Sequence, residues 1–306
     1  MQGAKLIKPK VKIGGVGMPT RISGAAKAVT AKAPVEMPAI IELDPADARP
    51  SILLQGGSGT GKTHALERML AAGYNGLLVL VENKWQDLAK YRPKSLLLSA
   101  PINGKPPTND QLYDRLFYFL DQLAEGKYRK HDGKFIDFIG FDGALEIGNI
   151  IYKYWKKRKP ISKTGEQNTF ALWDNVGERA ADFFRGARDA AGAASALFGF
   201  PPVGIICTVG EHAERGKLGS TFYEPLFPGR KGPEAMPYCF SQVIRLSCRN
   251  NDGKYEYVAH TIGTEEFYAK CPPKLFEAEE LNPDFGKMYA KLVAHYEAKE
   301  EESKDE

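Results

Sequence analysis

Apolar residues along the central part of the chain follow two alternating patterns. Short continuous apolar runs predict strands buried on both faces, at residues 51–55, 75–81, 95–99, 135–141 and 203–208. Between them, apolar residues recur every three or four positions and predict helices, at residues 62–72, 109–123, 144–155 and 170–190. Asn109 or Asp110 is suited to cap the second of these helices. The alternation predicts an α/β fold with a mainly parallel sheet.

The pattern changes toward the C-terminus. Residues 209–238 show no periodicity and predict a long loop. Residues 241–248 and 254–260 alternate between apolar and polar, and the Asn250–Gly253 turn predicts that they form an antiparallel hairpin. A final amphipathic helix is predicted over 284–296.

The two ends of the chain carry opposite charge. Seven lysines and arginines and no acidic residue fall within the first 35 positions, which predicts a flexible basic arm over residues 1–37. The last ten residues form an acidic end. We therefore divide the chain into the arm, a folded core over 38–275, and a C-terminal helix with an acidic tail over 276–306. Each charged end is interpreted as a solvated tail. For the basic arm, contact with the phosphate groups of a nucleic acid is the alternative.

No apolar run is long enough to span a membrane, and the four cysteines lack the close spacing of a zinc site. These features predict a soluble protein of a reducing compartment, with cysteines that are buried or inert. The expected location is the cytoplasm. The net charge of +4 adds little to this picture.

A glycine-rich loop follows the first predicted strand and opens the first predicted helix. It matches the phosphate-loop pattern G-x-x-x-x-G-K-S/T. Its glycines let backbone N–H groups converge on phosphate oxygens, and the helix N-terminus adds its positive dipole end. Lys62 is expected at the β and γ phosphates, and the hydroxyl of Thr63 at a magnesium ion. The predicted nucleotide-contacting residues are Gly56, Gly57, Ser58, Gly59, Thr60, Gly61, Lys62, Thr63 and His64.

A carboxylate ends the buried run Phe138–Phe141. Such a residue, at the end of a strand beside the phosphate loop, holds magnesium through water, so Asp142 is the second predicted metal residue and a catalytic one. Asp137 is a competitor, although it interrupts the apolar run. A strand-terminal cap is the alternative role for Asp142.

Hydrolysis also needs a group that orients or deprotonates water. Many additional-strand ATPases carry this carboxylate on the strand next to the phosphate loop, and Glu82, which ends the run Leu78–Val81, resembles it. Glu146 is the rival. Thr208 is predicted to sense the γ phosphate, with a capping hydroxyl as the equal alternative. His212 and His64 have no partners at metal-site spacing in the sequence.

The order of these elements resembles the RecA-like ATPases, and within them the phage and prophage nucleotide-binding proteins of single-strand annealing and recombination. The resemblance covers residues 50–275. It is carried by the phosphate loop and by shorter motifs, namely LVLVE at Glu82, FIGFD at Asp142, the helix around Trp173, ICTVGEH, PEAMPYCFSQVIRL, and Tyr268-Ala269-Lys270.

The resemblance implies ATP as the nucleotide and single-stranded DNA and further copies of the chain as partners. Loop 209–238 and segment 152–163 would contact DNA, with Tyr154 and Trp155 stacking on bases. A basic residue of one copy would reach its neighbour's ATP site, and Lys270, Arg230 and Lys231 are candidates. Ser241 and Cys271 stand where the family has an aspartate and an arginine, so subunit contacts are expected to differ.

Three functions fit these features to different degrees. The leading hypothesis is a DNA-dependent ATPase of phage-type annealing or recombination, acting in a bacterial host's cytoplasm. The alternative is a nucleotide-binding structural or assembly protein, such as a virion or scaffold component, in which ATP fixes a conformation. A small-molecule kinase is a weaker third hypothesis, since the chain has no recognisable acceptor-binding signature or arginine-rich lid.

Overall fold

The computed structural model describes residues 49–81, 86–91, 93–158, 168–215, 220–229 and 231–304. The described residues belong to a compact unit formed by residues 43–306. The predicted basic arm lies outside the described residues, and so do Glu82 and Arg230.

The part of the chain that the structure describes contains twelve strands, numbered in chain order: β1 Ser51–Gly56, β2 Gly76–Leu80, β3 Lys94–Leu97, β4 Lys130–His131, β5 Lys134–Phe135, β6 Phe138–Asp142, β7 Gly204–Val209, β8 Glu211–Arg215, β9 Thr221–Pro225, β10 Gln242–Asn251, β11 Lys254–His260 and β12 Glu279–Leu281. Eight of them form one sheet in the order β12-β11-β10-β1-β7-β6-β2-β3. The strands from β10 to β3 are parallel, whereas β11 and β12 are antiparallel additions.

The described residues also contain seven α-helices: α1 Lys62–Ala71, α2 Gln86–Ala89, α3 Asn109–Ala124, α4 Ala144–Arg158, α5 Thr169–Phe198, α6 Lys231–Ala235 and α7 Phe285–Lys304. One face of the sheet packs against α3, α4 and α5, and the other against α1 and α7. Successive residues of β1 show why both faces are covered. Leu53 lies in one buried cluster, and its neighbours Ile52 and Leu54 lie in the other.

The predicted α/β fold with a mainly parallel sheet, a C-terminal hairpin and a terminal helix is confirmed. Within the described ranges, no helix has the length and apolar character needed to cross a membrane. Central strands and most helices lie within a few residues of their predicted positions. The helix predicted over 170–190 runs on to Phe198 and ends before Gly199.

Three local predictions are wrong. Thr108, not Asn109 or Asp110, caps α3, because its hydroxyl accepts the N–H of Gln111 in a reciprocal capping box. The strand predicted to begin at residue 135 begins at Phe138. Residues 209–238, predicted as a loop, contain the hairpin of β8 and β9, the helix α6, and a 3-10 helix at Met236–Cys239.

The position of β2 also differs from expectation. The phosphate-loop strand β1 has β7 and β10 as its neighbours, and both β7 and β6 separate it from β2. The strand that precedes Glu82 is therefore not next to the phosphate-loop strand. It pairs instead with β6, whose last residue, Asp142, lies opposite Leu80.

Candidate functional site

The phosphate loop joins β1 to α1 and brings the backbone close to a neighbouring strand. A Cβ atom at Gly56 would lie 2.5 Å from Thr60 Oγ1 and 2.6 Å from the carbonyl oxygen of Leu246. Gly61 has a φ of 91° immediately before α1 begins, a conformation that strongly favours glycine. The local fold therefore needs glycine at these two positions of the motif.

Lys62 lies at the start of α1, with its ammonium group inside the loop. Its Nζ donates hydrogen bonds to the carbonyl oxygens of Gly56 at 2.7 Å and Gly57 at 2.6 Å. Burial lowers the pKa of Lys62, and the nearby carboxylates of Glu211 and Asp142 act in the opposite direction. The loop thus holds a partly buried cation where the motif expects the phosphates.

Asp142 meets the loop at the end of β6. The hydroxyl of Thr63 donates to Asp142 Oδ2 at 3.3 Å, and the hydroxyl of Thr208 donates to Asp142 Oδ1 at 2.6 Å. The Gly143 N–H donates to the same Thr208 oxygen at 3.0 Å. Thr208 is buried and lies opposite Asp142 in the β6–β7 register. In this structure Thr208 therefore orients the carboxylate.

A buried ion pair lies beside the loop and was not predicted from the sequence. Arg245 Nε and Nη2 donate to the two carboxylate oxygens of Glu211, at 2.9 and 3.0 Å, and both side chains are about nine-tenths buried. A Cβ at Gly57 would lie 3.9 Å from Glu211 Oε1. One signal was available, because an arginine inside the apolar strand Val243–Leu246 requires a buried partner.

The arginine of this pair also contacts two aromatic rings. Its guanidinium carbon lies 4.2 Å from the ring centroid of Tyr223 and 4.7 Å from that of Phe267. Tyr223 belongs to β9, so the pair links the sheet, the phosphate loop and the β8–β9 hairpin.

The competing carboxylates lie elsewhere. Asp137 Oδ2 accepts the backbone N–H of Asn75 at the opposite end of the sheet from Asp142, so it does not belong to this site. Glu146 lies in the first turn of α4, where Oε2 accepts from Asn149 at 3.4 Å. Glu82 lies outside the described residues, and its catalytic role stays a prediction.

A cavity of about 360 Å³ opens beside the first turn of α1. Its lining combines the loop, the C-terminal hairpin and the start of α7: Thr60, Gly61, His64, Arg68, Leu246, Tyr257, Val258, Asn282, Pro283, Asp284 and Phe285. The Tyr257 ring comes within 3.6 Å of a Cβ built at Gly61. His64 is half-exposed, and its two ring nitrogens bond to Glu67 and Arg68 of the same helix.

The aromatic residues near the end of α4 pack against other parts of the fold. Tyr154 stacks on Tyr113 at a centroid distance of 3.5 Å, and the guanidinium of Arg158 covers it at 3.3 Å. Trp155 packs against the buried cluster. The expectation that Tyr154 stacks on bases is therefore wrong, because Tyr113 and Arg158 already occupy its ring faces. Trp155 is half-buried, and its stacking on bases stays a prediction.

The remaining sequence candidates have contacts of their own. Lys231 forms an ion pair with Asp174 at 2.8 Å, and Lys270 donates to the carbonyl oxygen of Phe240 at 3.3 Å. The thiols were predicted to be buried or inert; Cys207 and Cys239 are buried, whereas Cys248 is exposed. Burial raises the pKa of Cys207, Cys239 and Cys271, in the last case to about 12.

No protein-family model matches the chain, and no curated protein matches it in sequence. Among solved structures, the chain is similar to a KaiC-like protein of the hyperthermophilic archaeon Pyrococcus horikoshii OT3, with 16% identity over 69% of this chain and 77% of that one and a TM-score of 0.33. The chain has a mixed α/β fold with a large, mostly parallel sheet, as predicted for a RecA-like core.

Proposed function

We propose that this protein binds ATP with magnesium and hydrolyses it. The observation that carries the proposal is the convergence of three groups at one end of the sheet. The phosphate loop, the ammonium of Lys62 and the Thr63–Asp142 pair meet there. A phosphate chain needs these groups, namely backbone donors, a cation and oxygen ligands for its metal.

The residues present fit both the nucleotide and the metal. Magnesium prefers oxygen ligands, and Thr63 Oγ1 and Asp142 Oδ2 supply two oxygens 3.3 Å apart. Magnesium, when bound, would neutralise charge on the transferred phosphate. Lys62 would exchange its bonds to the loop carbonyls for bonds to phosphate oxygens. The cavity beside Gly61 and Tyr257 is of a size suited to the nucleoside part of the ligand.

The first candidate for activating water is Glu82, and Glu211 is an alternative. Glu211 is a carboxylate close enough to the phosphate loop to act on Lys62, but Arg245 holds both of its oxygens. We expect Glu82→Gln to abolish turnover with ATP binding unchanged, and Glu146→Gln to leave both unchanged. Loss of turnover in Glu211→Gln, with turnover kept in Glu82→Gln, would move the role to Glu211.

We further propose that single-stranded DNA stimulates the hydrolysis, in the manner of phage-type annealing or recombination proteins in the host cytoplasm. The support is the sequence resemblance, the basic composition of residues 1–37, and exposed lysines such as Lys153 and Lys156 on α4. Lysines attract phosphate backbones in a salt-dependent way. The β8–β9 hairpin carries several glutamates, and in a complex with DNA positively charged groups would have to offset their repulsion of the phosphates.

The test is steady-state ATP hydrolysis by the full chain and by Lys62→Ala, with and without single-stranded DNA at low and moderate salt. Lys105→Ala, which removes an exposed lysine far from the loop in sequence, is the matched control. We expect turnover that requires Lys62, is kept in Lys105→Ala and rises with DNA at low salt. Equal turnover in the wild type and Lys62→Ala would reject the ATPase. Lys62-dependent turnover that ignores DNA would reject only the DNA part.

A second candidate function is nucleotide-dependent assembly. The observation that favours it is two exposed apolar side chains at the ends of the C-terminal hairpin: Tyr238, before β10, is 75% exposed, and Ile262, after β11, is 59% exposed. Tyr238 contacts Tyr268, and Ile262 pairs with Lys270. Multimers that form with a non-hydrolysable ATP analogue, without DNA, would favour this function. Ile262→Glu should then prevent them.

A further inference from the structure

Three potential metal ligands meet on one face of the β8–β9 hairpin. His212 and Glu214 are two residues apart on β8, so their side chains point to the same side of the strand. Glu224 lies directly opposite His212 on β9 and shares that side. One ligand atom from each residue lies within 4.8 Å of the others.

Among the described residues, neither Glu214 nor Glu224 forms an ion pair with a lysine or an arginine. Nδ1 of His212 is shielded from solvent and has no hydrogen-bond partner among the described residues, which is costly for a polar atom. The carboxylates of Glu214 and Glu224 lie close together on this face, which is unfavourable for two negative charges.

We propose that His212, Glu214 and Glu224 bind a first-row divalent transition metal ion. One imidazole nitrogen and two carboxylate oxygens form a ligand set typical of zinc, manganese or cobalt ions, and three protein ligands leave a position for water or another molecule. An ion there would give the imidazole a partner and neutralise the carboxylates. Magnesium, which prefers oxygen ligands, is the poorer occupant.

This site is separate from the predicted magnesium site. Adjacent residues of a strand point to opposite sides, and Glu211, the neighbour of His212, faces Arg245 and the phosphate loop. The ion would connect β8 to β9, and so fix the hairpin that begins at Glu211. The inference does not depend on the proposed ATPase activity, since it needs neither nucleotide nor turnover.

The test is titration of Co²⁺ into the full-length protein without nucleotide, followed by visible absorption and calorimetry, with Mg²⁺ as the comparison ion. Cys248→Ser serves as the background, because an exposed thiol would bind cobalt by itself. We expect one equivalent of cobalt to bind, and His212→Ala and Glu214→Gln each to weaken binding at least tenfold. Glu214 is exposed, so its replacement leaves the core intact.

Two control variants separate this site from others. Glu125→Gln removes an exposed carboxylate at the C-terminal end of α3, and Asp142→Asn removes the carboxylate of the phosphate-loop site. Cobalt binding should survive both. The proposal is overturned if binding does not saturate, if His212→Ala and Glu214→Gln bind as the background protein does, or if Asp142→Asn abolishes binding. Equal affinity for magnesium would reject the transition-metal assignment.

Discussion

Replacing Arg245 by methionine should destabilise the protein by an amount that the geometry allows us to estimate. The change removes two hydrogen bonds of 2.9 and 3.0 Å and the guanidinium contacts with Tyr223 and Phe267, and it leaves Glu211 nine-tenths buried without its cation. Breaking a buried ion pair by removing one partner costs roughly 3 to 5 kcal/mol. We expect about 3 kcal/mol, because the short β8–β9 hairpin can shift to hydrate Glu211.

The assay is urea unfolding at pH 7 of the wild type, Arg245→Met, Glu211→Gln and the double variant. If the two side chains act as a pair, the double variant should cost less than the sum of the single ones, with a coupling free energy of about 1.5 to 3 kcal/mol. The matched control is the ion pair of Arg249 and Glu279, whose charged atoms are 2.6 Å apart. Arg249 lies on β10, as Arg245 does, but its side chain is 49% exposed and that of Glu279 is 41% exposed. Its coupling should stay below about 1 kcal/mol.

Two results would refute this reasoning. One is a cost below about 1 kcal/mol for Arg245→Met, the level of an exposed pair. The other is simple additivity of Arg245→Met and Glu211→Gln, which would mean that the short distances carry no energetic coupling. A coupling as large for Arg249–Glu279 would equally show that burial does not set the magnitude.

Three further predictions concern the glycine-rich loop, the orientation of Asp142 and the thiols. Gly56→Ala should cost about 1 to 3 kcal/mol in urea unfolding and impair nucleotide binding, because its Cβ would overlap Thr60 Oγ1 and the Leu246 carbonyl; unchanged binding would contradict this. Thr208→Val should lower turnover at least tenfold, because Asp142 loses a donor and the Gly143 N–H loses its acceptor; wild-type turnover would show that neither bond matters. A maleimide should label the exposed Cys248 first. Cys271 has a pKa of about 12, so about one molecule in ten thousand carries its thiolate at pH 8, and its labelling rate should rise tenfold with each added pH unit. Labelling of Cys271 as fast as that of Cys248 at pH 8 would be inconsistent with the burial of Cys271.

The sequence predicted those parts of the fold that depend on local pattern. Continuous apolar runs gave the central strands, because a strand covered on both faces carries mostly apolar residues and buries a polar one only with a partner. The phosphate loop was predictable in full, since its glycines, Lys62 and Thr63 are contiguous and their backbone demands are local. Asp142 was found because it ends a buried strand.

The parts that depend on distant contacts were not predictable in this way. In the sheet, β7 and β6 lie between β1 and β2, and no local sequence pattern indicates this strand order. Glu211 and Arg245 are 34 residues apart, so their pairing appears only when β8 is placed beside β10. The β8–β9 hairpin was missed because its strands are short and mostly polar, without the alternation that marks a half-buried strand.

Whether the ring faces of an aromatic side chain are covered also depends on the tertiary structure. Tyr154 and Trp155 stand among lysines in the sequence, which is typical of a nucleic-acid contact. In the fold, Tyr113 and Arg158 cover the two faces of Tyr154, and Trp155 packs on the core. The same holds for the cluster of His212, Glu214 and Glu224, since the third residue joins only through the cross-strand pairing.

The measurement that tests the central claim most directly is the thermal midpoint with and without magnesium and ATP. Saturating nucleotide at a hundred times its Kd adds about 2.7 kcal/mol to the free energy of unfolding, which predicts a rise of about 5 °C for a domain of this size. We expect this rise in the wild type, none in Lys62→Ala, and one in Asp142→Asn that no longer depends on magnesium. An equal rise in Lys62→Ala, or none in the wild type, would contradict the assignment of the phosphate loop as a nucleotide site.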